Sequence, residues 1–315
     1  MTKKICIVFG CTGQDGSLIS RSLLRKGYEV IGVSRSNQSD YQYLSQLGIN
    51  KSFEIKQITE ENNLSYLQKF IELYEPDEIY NLSAQSSVGL SFNDPYSSIK
   101  SIYHHTLKLL EAARRLKFEG TIFFAGSSEM FGETENGADV YHPRSPVSPY
   151  AHAKEASFNL VKQYRELYDV NCVTGVLFNH ESTLRKDQFV VPKIIKGALQ
   201  CHKNKNHRLV LGNIEISRDW GWAEDYVEAM QVITRAHKIK DHVICTGKLI
   251  SLKEVIKRIF KKLDMNWEDY VIIKEGLKRT NDISKSYGNP IPLSKDLGWK
   301  NEKNIDDIIN LLLSN

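Results

Sequence analysis

Tyr150 and Lys154 have the types and the spacing of a proton-transfer pair. Residues four apart lie one turn apart on the same helix face, so a phenol and an ammonium would be neighbours there. A cation at that distance is expected to lower the pKa of Tyr150. The phenol could then exchange a proton with an alcohol while a nicotinamide exchanges the hydride. Ser127 and Glu129, just upstream, add a hydroxyl and a carboxylate.

A tyrosine and a lysine with this spacing usually form an ordinary exposed helix face, so the interpretation depends on the elements around them. The chain has 315 residues, of which 41% are hydrophobic and 25% charged, a composition typical of one large or two moderate globular domains. The net charge of +4 is too small to indicate a nucleic-acid partner. No apolar run approaches the roughly 18 residues of a membrane span.

The N-terminal apolar run is too short for a signal peptide, and the five cysteines are scattered without Cys-x-x-Cys spacing. Reduced thiols and no metal site are therefore expected. The composition predicts a cytoplasmic protein with neither a nucleic-acid nor a membrane partner.

A glycine-rich turn follows the first apolar run, Ile5 to Phe9, and precedes an amphipathic pattern from Ser17 to Lys26. Strand, glycine turn and helix are the context of a dinucleotide-binding site, although the spacing here is Gly-x-x-Gly-x-x-Gly. Glycines let the backbone approach a pyrophosphate at the helix N-terminus. The residues expected to bind the cofactor here are Gly10, Thr12, Gly13, Gln14, Asp15 and Gly16.

The second predicted strand, Tyr28 to Val33, lacks the acid that usually holds the ribose of NAD. Arg35 and Ser36 stand after it instead, and an arginine with small polar neighbours suits a 2′-phosphate. The sequence therefore favours NADP over NAD as the cofactor.

Strands and helices alternate through the first half of the chain, which predicts an α/β fold with a doubly wound parallel (Rossmann) sheet. Ligands bind at the carboxyl ends of such strands, so Leu82, Ala84, Gln85 and Ser86 are expected at a ligand. Of these, Leu82 and Ala84 are assigned to the cofactor and Gln85 and Ser86 to the substrate. Further strands are predicted at 53–58, 78–82, 121–125 and 172–178, with helices at 64–74, 95–116 and 150–168.

The alternation loosens after Asn179, which indicates a smaller α/β substrate domain. We predict that residues 1–178 and about 214–247 form the nucleotide-binding domain, and that about 179–213 and 248–315 bind the substrate. In this half, helices are predicted at 192–201, 224–236, 251–263 and 305–313, with strands at 209–211 and 242–245.

The motifs together resemble the extended short-chain dehydrogenase/reductase superfamily and, within it, the GDP-mannose 4,6-dehydratase family. The resemblance runs from Ile5 to about Trp299. The segments that carry it are Gly-Cys-Thr-Gly-Gln-Asp-Gly-Ser from Gly10, Asn-Leu-Ser-Ala-Gln-Ser from Asn81, Ser-Ser-Glu-Met-Phe-Gly from Ser127, Leu-Phe-Asn-His-Glu-Ser from Leu177 and Arg-Asp-Trp-Gly from Arg218.

That family oxidises C4 of a GDP-sugar, eliminates water across C5 and C6, and returns the hydride to C6. The resemblance implies that Tyr150 deprotonates the C4 hydroxyl while Ser127 binds the C4 oxygen. Lys154 would lower the pKa of Tyr150 and hold the ribose, so that both Tyr150 and Lys154 also contact the cofactor. Glu129 would remove the C5 proton and help the C6 hydroxyl leave.

Further roles come from the same resemblance. It implies a homodimer, with a tetramer as the alternative, and places His180 near the nicotinamide, where a purely structural histidine is the competing interpretation. The residues that it places at the sugar nucleotide are Asn179, Arg185, Lys193, Arg218 and Arg279.

The sequence departs from the family at several positions. Ser127 replaces a usual threonine, Gln57 replaces an aspartate at the adenine, and Ser34 replaces the first of two adjacent arginines. The segments 143–150 and 189–192 look closer to the related GDP-4-keto-6-deoxymannose reductases. The alternatives are therefore such an NADPH-dependent reductase, a dehydratase for another GDP-sugar such as a GDP-heptose, or a non-catalytic NADP-sensing protein.

Overall fold

The computed structural model describes residues 3–35, 41–58, 63–274 and 282–314. Strands and helices alternate in its first half, as the apolar runs and amphipathic segments predict. In chain order they are β1 (Ile5–Phe9), α1 (Gln14–Arg25), β2 (Glu29–Ser34), α2 (Gln42–Gln46), β3 (Glu54–Gln57), α3 (Leu64–Tyr74), β4 (Glu78–Asn81), α4 (Val88–Asn93), α5 (Pro95–Ile99), α6 (His105–Leu116), β5 (Thr121–Ser127), α7 (Pro149–Tyr168) and β6 (Cys172–Leu177).

Shorter strands dominate the second half. The elements are β7 (Asn179–Glu181), α8 (Val190–Lys203), β8 (Leu209–Leu211), β9 (Ser217–Arg218), β10 (Trp220–Trp222), α9 (Ala223–Thr234), β11 (His242–Ile244), β12 (Ile250–Ser251), α10 (Leu252–Lys262), β13 (Val271–Ile273), β14 (Lys285–Ser286), α11 (Ile291–Leu297) and α12 (Ile305–Leu313).

Seven strands form one parallel sheet in the order β11-β6-β5-β4-β1-β2-β3. β6 is buried along its whole length, as expected for a parallel strand covered on both faces. The predicted doubly wound Rossmann sheet is confirmed. The carboxyl ends of β1, β2, β4 and β5 lie at one edge, and this edge carries the glycine turn and Ser127.

Each face of the sheet has its own hydrophobic core. Alternate residues of β1 separate accordingly, with Cys6 and Val8 packing with the α1 and α9 side and Ile7 and Phe9 packing with the α3, α6 and α7 side. This period of two is the signature of a strand covered by helices on both faces.

A third core lies outside the sheet and joins α8, α10 and α12 through apolar side chains such as Ile195, Ile256 and Ile309. Trp220 and Trp222 belong to it as well, although the predicted division assigns both tryptophans to the nucleotide-binding domain. The domain boundary itself stays a prediction.

Most predicted elements match the observed ones to within one or two residues at each end, and three show the clearest differences. The helix predicted over 95–116 is α5 and α6 joined by a π-helical turn, Lys100–His104, which widens the backbone locally. α1 begins at Gln14, so Gly16 lies in its first turn, and β5 extends to Ser127. No helix of the described residues combines the length and apolarity needed to span a membrane.

Candidate active site

The glycine turn between β1 and α1 is too tight for side chains. Gly10 has φ +82°, and a Cβ there would lie 2.8 Å from the Leu82 carbonyl oxygen. A Cβ on Gly16 would lie 2.0 Å from the Gly10 carbonyl oxygen. Gly13 caps α1 without a side-chain hydrogen bond, so the first amides of the helix are not used by a capping side chain. This turn fits a dinucleotide pyrophosphate.

Side chains of the turn bind the segment after β6. The Asp15 carboxylate lies 3.0 Å from His180 Nε2, and His180 Nδ1 lies 2.7 Å from the Phe178 carbonyl oxygen. Ser182 donates to Gln14 Oε1 at 2.8 Å. Burial acts to raise the pKa of Asp15, but His180, Gln14 and Arg185 together outweigh it and the pKa falls to about 2. Two separate sequence motifs thus hold each other in place, and His180 has the contacts of a structural histidine.

The end of β2 also contacts the glycine turn. Thr12 Oγ1 and Ser34 Oγ lie 2.9 Å apart, and Ser34 is buried. Arg35 is exposed and lines a long groove that begins at the glycine turn. Ser36 lies outside the described residues.

That groove has a volume of about 970 Å³ and gathers most residues predicted to bind the cofactor. Its walls come from the glycine turn, the ends of β2 and β4, the helices around the π-helical turn and the loop before α8. Arg185, predicted at the sugar nucleotide, lies in the same wall. The predicted site residues that line it are Gly10, Thr12, Gly13, Gln14, Arg35, Leu82, Ala84, Gln85, Ser86 and Arg185.

Ala84 has an unusual backbone for a residue with a side chain, with φ +116°. It lies after β4 in the wall of the groove, and next to it Gln85 Nε2 donates to the Ser87 carbonyl oxygen at 2.7 Å. Such conformations cost energy and concentrate at binding sites.

Tyr150 is held in the first turn of α7. Ser148 caps the helix by accepting the Ala151 N–H at 3.1 Å, and Pro149 occupies the first helical position. The Tyr150 ring is buried and packs with Ile102 and with Ala84. The catalytic candidates therefore lie directly behind the groove wall.

Ser127 and Glu129 lie beside the Tyr150 phenol. Burial is the largest effect on the pKa of Tyr150 and raises it, a hydrogen bond with Ser127 lowers it, and the charge of Glu129 raises it. Together they raise this pKa to about 12. The structure thus brings the predicted hydroxyl, carboxylate and phenol together.

Lys154 does not act on Tyr150 as expected. Its Nζ donates to the Ala125 carbonyl oxygen at 2.7 Å and lies 5.8 Å from the centre of the Tyr150 ring. Burial lowers the pKa of Lys154 to about 8, with Asp15 opposing the shift. The expectation that Lys154 lowers the pKa of Tyr150 was wrong for the protein alone, because desolvation dominates both groups.

The residues predicted at the sugar nucleotide are less closely gathered. Asn179 begins β7 and is half-buried, whereas Lys193 is exposed within the first turn of α8 rather than before the helix. Arg218 is buried and lies 3.4 Å from Asp282 Oδ1. Arg279 lies outside the described residues.

Sequence reasoning missed several groove residues. Ser101, His105 and Lys108 come from the helical segment around the π-helical turn, and all three line the groove. Their spacing of four and three residues places them on one helix face, which was a usable signal. Glu181 was missed as well: it is buried, burial raises its pKa, and its Oε2 lies 3.8 Å from Arg185 Nε.

The sequence matches the family model described as GDP-mannose 4,6 dehydratase over residues 7–312. The chain belongs to the GDP-mannose 4,6-dehydratase family. The resemblance carried by the sequence motifs is confirmed. GDP-mannose 4,6 dehydratase 1 of Arabidopsis thaliana is 35% identical over 321 residues, which cover 99% of this chain and 89% of that protein.

Solved structures share the fold at lower identity. UDP-glucuronic acid 4-epimerase of Bacillus cereus, in complex with UDP-glucuronic acid and NAD, has a TM-score of 0.86 at 18% identity and covers 98% of each chain. RMD of Pseudomonas aeruginosa, complexed with NADPH, has a TM-score of 0.78 at 20% identity and covers 99% of this chain and 98% of that one. These two likenesses establish the fold of this family member.

Proposed function

We propose that the protein is an NADP-dependent GDP-sugar 4,6-dehydratase that converts GDP-mannose to GDP-4-keto-6-deoxymannose. The observation that carries the proposal is the grouping of Ser127, Glu129 and Tyr150 behind the groove, in a chain of the dehydratase family. An alcohol oxidation needs the phenol and the hydroxyl, and the elimination that follows needs a second base.

The groove supports a nicotinamide dinucleotide as the cofactor, because Gly10 and Gly16 leave no space for side chains and α1 has no capping side chain. When bound, the nicotinamide supplies a hydride acceptor for the oxidation and returns the hydride at the end. Gly10, Gly13 and the first turn of α1 would hold the pyrophosphate. Lys154 would hold the ribose nearest the reacting carbon.

Tyr150 takes the proton of the C4 hydroxyl, and Ser127 donates to the C4 oxygen that becomes a ketone. The ketone acidifies the C5 proton, which Glu129 removes. The C6 hydroxyl leaves with that proton as water, C6 receives the hydride, and C5 takes up the proton that Tyr150 removed from the C4 hydroxyl. Sugar oxidation and reduction cancel, so the net reaction is the loss of one water and needs no external reductant.

The first experiment is mass spectrometry of GDP-mannose after incubation with the protein and catalytic NADP, with no reductant added. Loss of one water would support the dehydratase. An unchanged substrate would contradict this assignment, and two further substrates would separate the alternatives. Conversion of a GDP-heptose would indicate another sugar, and consumption of NADPH with a 4-keto-6-deoxy sugar would indicate a reductase.

Glu129→Gln tests the second base. We expect reduced cofactor to accumulate on the protein while water loss stops, because the amide cannot accept the C5 proton. Glu135→Gln, an exposed change in the following loop, is the matched control and should dehydrate GDP-mannose normally. Normal dehydration by Glu129→Gln would contradict its assigned role.

The assembly and location are also proposals. A homodimer through the helices of 95–116 and α7 is supported by exposed apolar side chains on both, among them Tyr96, Ile99 and Leu167. A tetramer is the alternative, and light scattering after gel filtration separates the two. The absence of a membrane-spanning helix among the described residues supports a cytoplasmic location.

A further inference from the structure

The adenosine end of the groove has an unusual polar wall. His105 is the first residue of α6, directly after the π-helical turn, and its ring packs edge-on against Phe9 with centroids 5.2 Å apart. Phe9 immediately precedes Gly10 of the glycine turn. His105 therefore lies beside the part of the groove formed by the ends of β1 and β2, where a dinucleotide places its adenosine.

The His105 imidazole has hydrogen-bonding capacity that the described protein does not use. Its Nε2 is shielded from solvent and has no hydrogen-bond partner among the described residues. Buried polar atoms of this kind normally have partners, so an orphaned one in a groove wall indicates a ligand contact.

Two cations flank this imidazole. Burial, together with the charges of Lys108 and Arg35, lowers the pKa of His105 to about 4, and this effect of the two charges means that both lie close to the ring. Arg35 follows β2 and Lys108 lies one turn after His105 on α6, and all three line the groove. The segment after β2 and helix α6 thus place two positive charges beside the neutral His105 imidazole.

We propose that His105 and Lys108 on α6 join Arg35 in binding the phosphate on the adenosine ribose, and so determine the preference for NADP over NAD. This inference rests on the proposed function, since it assumes a dinucleotide in the groove. It also explains how a chain with Ser34 before Arg35 can bind that phosphate. Ser34 is buried against Thr12 and carries no charge, so the second cation comes from α6 instead.

The test is calorimetric binding of NADP and NAD to the full chain, with adenosine 2′,5′-bisphosphate and adenosine 5′-monophosphate as shorter probes. We expect the wild type to prefer the phosphate-bearing member of each pair. Lys108→Gln should reduce that preference roughly tenfold, because it removes a hydrogen bond to a charged group. His105→Phe keeps the ring against Phe9 and should reduce the preference roughly three- to tenfold.

Lys117→Gln removes the same charge from the exposed far end of α6 and should leave the preference unchanged. Lys108→Arg should retain the preference. The inference would be overturned if Lys108→Gln and His105→Phe both kept the wild-type preference, or if they lowered the affinities for NADP and NAD equally. The NADP assignment would not be affected by either result. A wild type that prefers NAD would overturn the inference and the NADP assignment. A wild type that binds neither would overturn the proposed cofactor site as well.

Discussion

Two regions of this molecule position their polar side chains in different ways. At the edge of the seven-stranded sheet, Ser127 ends a seven-residue strand and Tyr150 is the second residue of a 20-residue helix. In the region after β6, Arg218 stands on a two-residue strand between two other two-residue strands. Long elements fix the first group, whereas side-chain contacts to neighbouring loops fix the second.

The side-chain contacts of the second region are specific and reach far along the chain. Asp219 binds the loop after β11, and Glu133 accepts the Lys285 N–H at 2.8 Å. Substitutions at the sheet edge should therefore change turnover with little change in stability. In the second region, loss of a single hydrogen-bonding side chain should lower stability. Three substitutions test this difference.

The largest effect is expected for Tyr150→Phe. The ring still fills its pocket with Ala84 and Ile102, but no group remains to exchange the C4 proton. Turnover of GDP-mannose should fall roughly 100- to 10,000-fold, the usual contribution of a positioned acid or base. Cofactor affinity and melting temperature should change little.

Tyr168→Phe is the matched control on the same helix, since that phenol is 49% exposed, and its turnover should be normal. If Tyr150→Phe kept full turnover, the phenol would not be the proton acceptor. A large loss of stability in that variant would mean that the sheet edge, too, depends on single hydrogen bonds.

Lys154 gives a pH-dependent effect on stability. Its pKa is about 8 in the folded protein and ordinarily 10.5. Below pH 8 the buried ammonium is charged in the folded protein, and its burial destabilises the fold to the full extent. Between these pH values the unfolded chain binds more protons, and the stability of the wild type rises with pH. Lys154→Met lacks this gain, so its stability relative to the wild type should fall by about 3 kcal/mol across this pH range.

Urea unfolding of both proteins at several pH values measures this difference, and the titration of Tyr150 cancels because both proteins contain it. Lys162→Met, an exposed change on α7, is the control and should show no such trend. A constant difference between Lys154→Met and the wild type would show that the buried ammonium does not titrate in this window.

The contrast between the two regions also explains what the sequence could predict. Apolar runs of four to seven residues, such as β1 and β5, can be recognised in the sequence and specify the sheet. The prediction therefore puts the residues that follow these runs at the carboxyl edge of the sheet, where the structure has them. Strands of two residues, such as β9 and β12, have no periodicity to detect. The pairing of Asp15 with His180 joins residues 165 apart, so no local pattern encodes it.

The smallest of the three effects is expected for Asp219→Asn. The Asp219 carboxylate is fully buried and accepts the Thr246 hydroxyl at 2.6 Å, the Thr246 N–H at 3.0 Å and the Gly247 N–H at 2.8 Å. Burial raises its pKa, but these donors oppose the shift. An amide in its place would carry no charge, and its NH₂ group would face the donors of Thr246 and Gly247. The free energy of unfolding should therefore fall by roughly 2 kcal/mol.

Thr246→Val removes the hydroxyl alone and should cost roughly 1 kcal/mol in urea unfolding. Hydrogen exchange then locates the effect of Asp219→Asn. Protection should fall at β9, β10 and β12 and persist in β1 and β5, because the long strands do not depend on this carboxylate. Equal loss of protection in both regions would show that they unfold as one cooperative unit. The sheet edge and the region after β6 would then not differ in local stability, although their side chains are positioned differently.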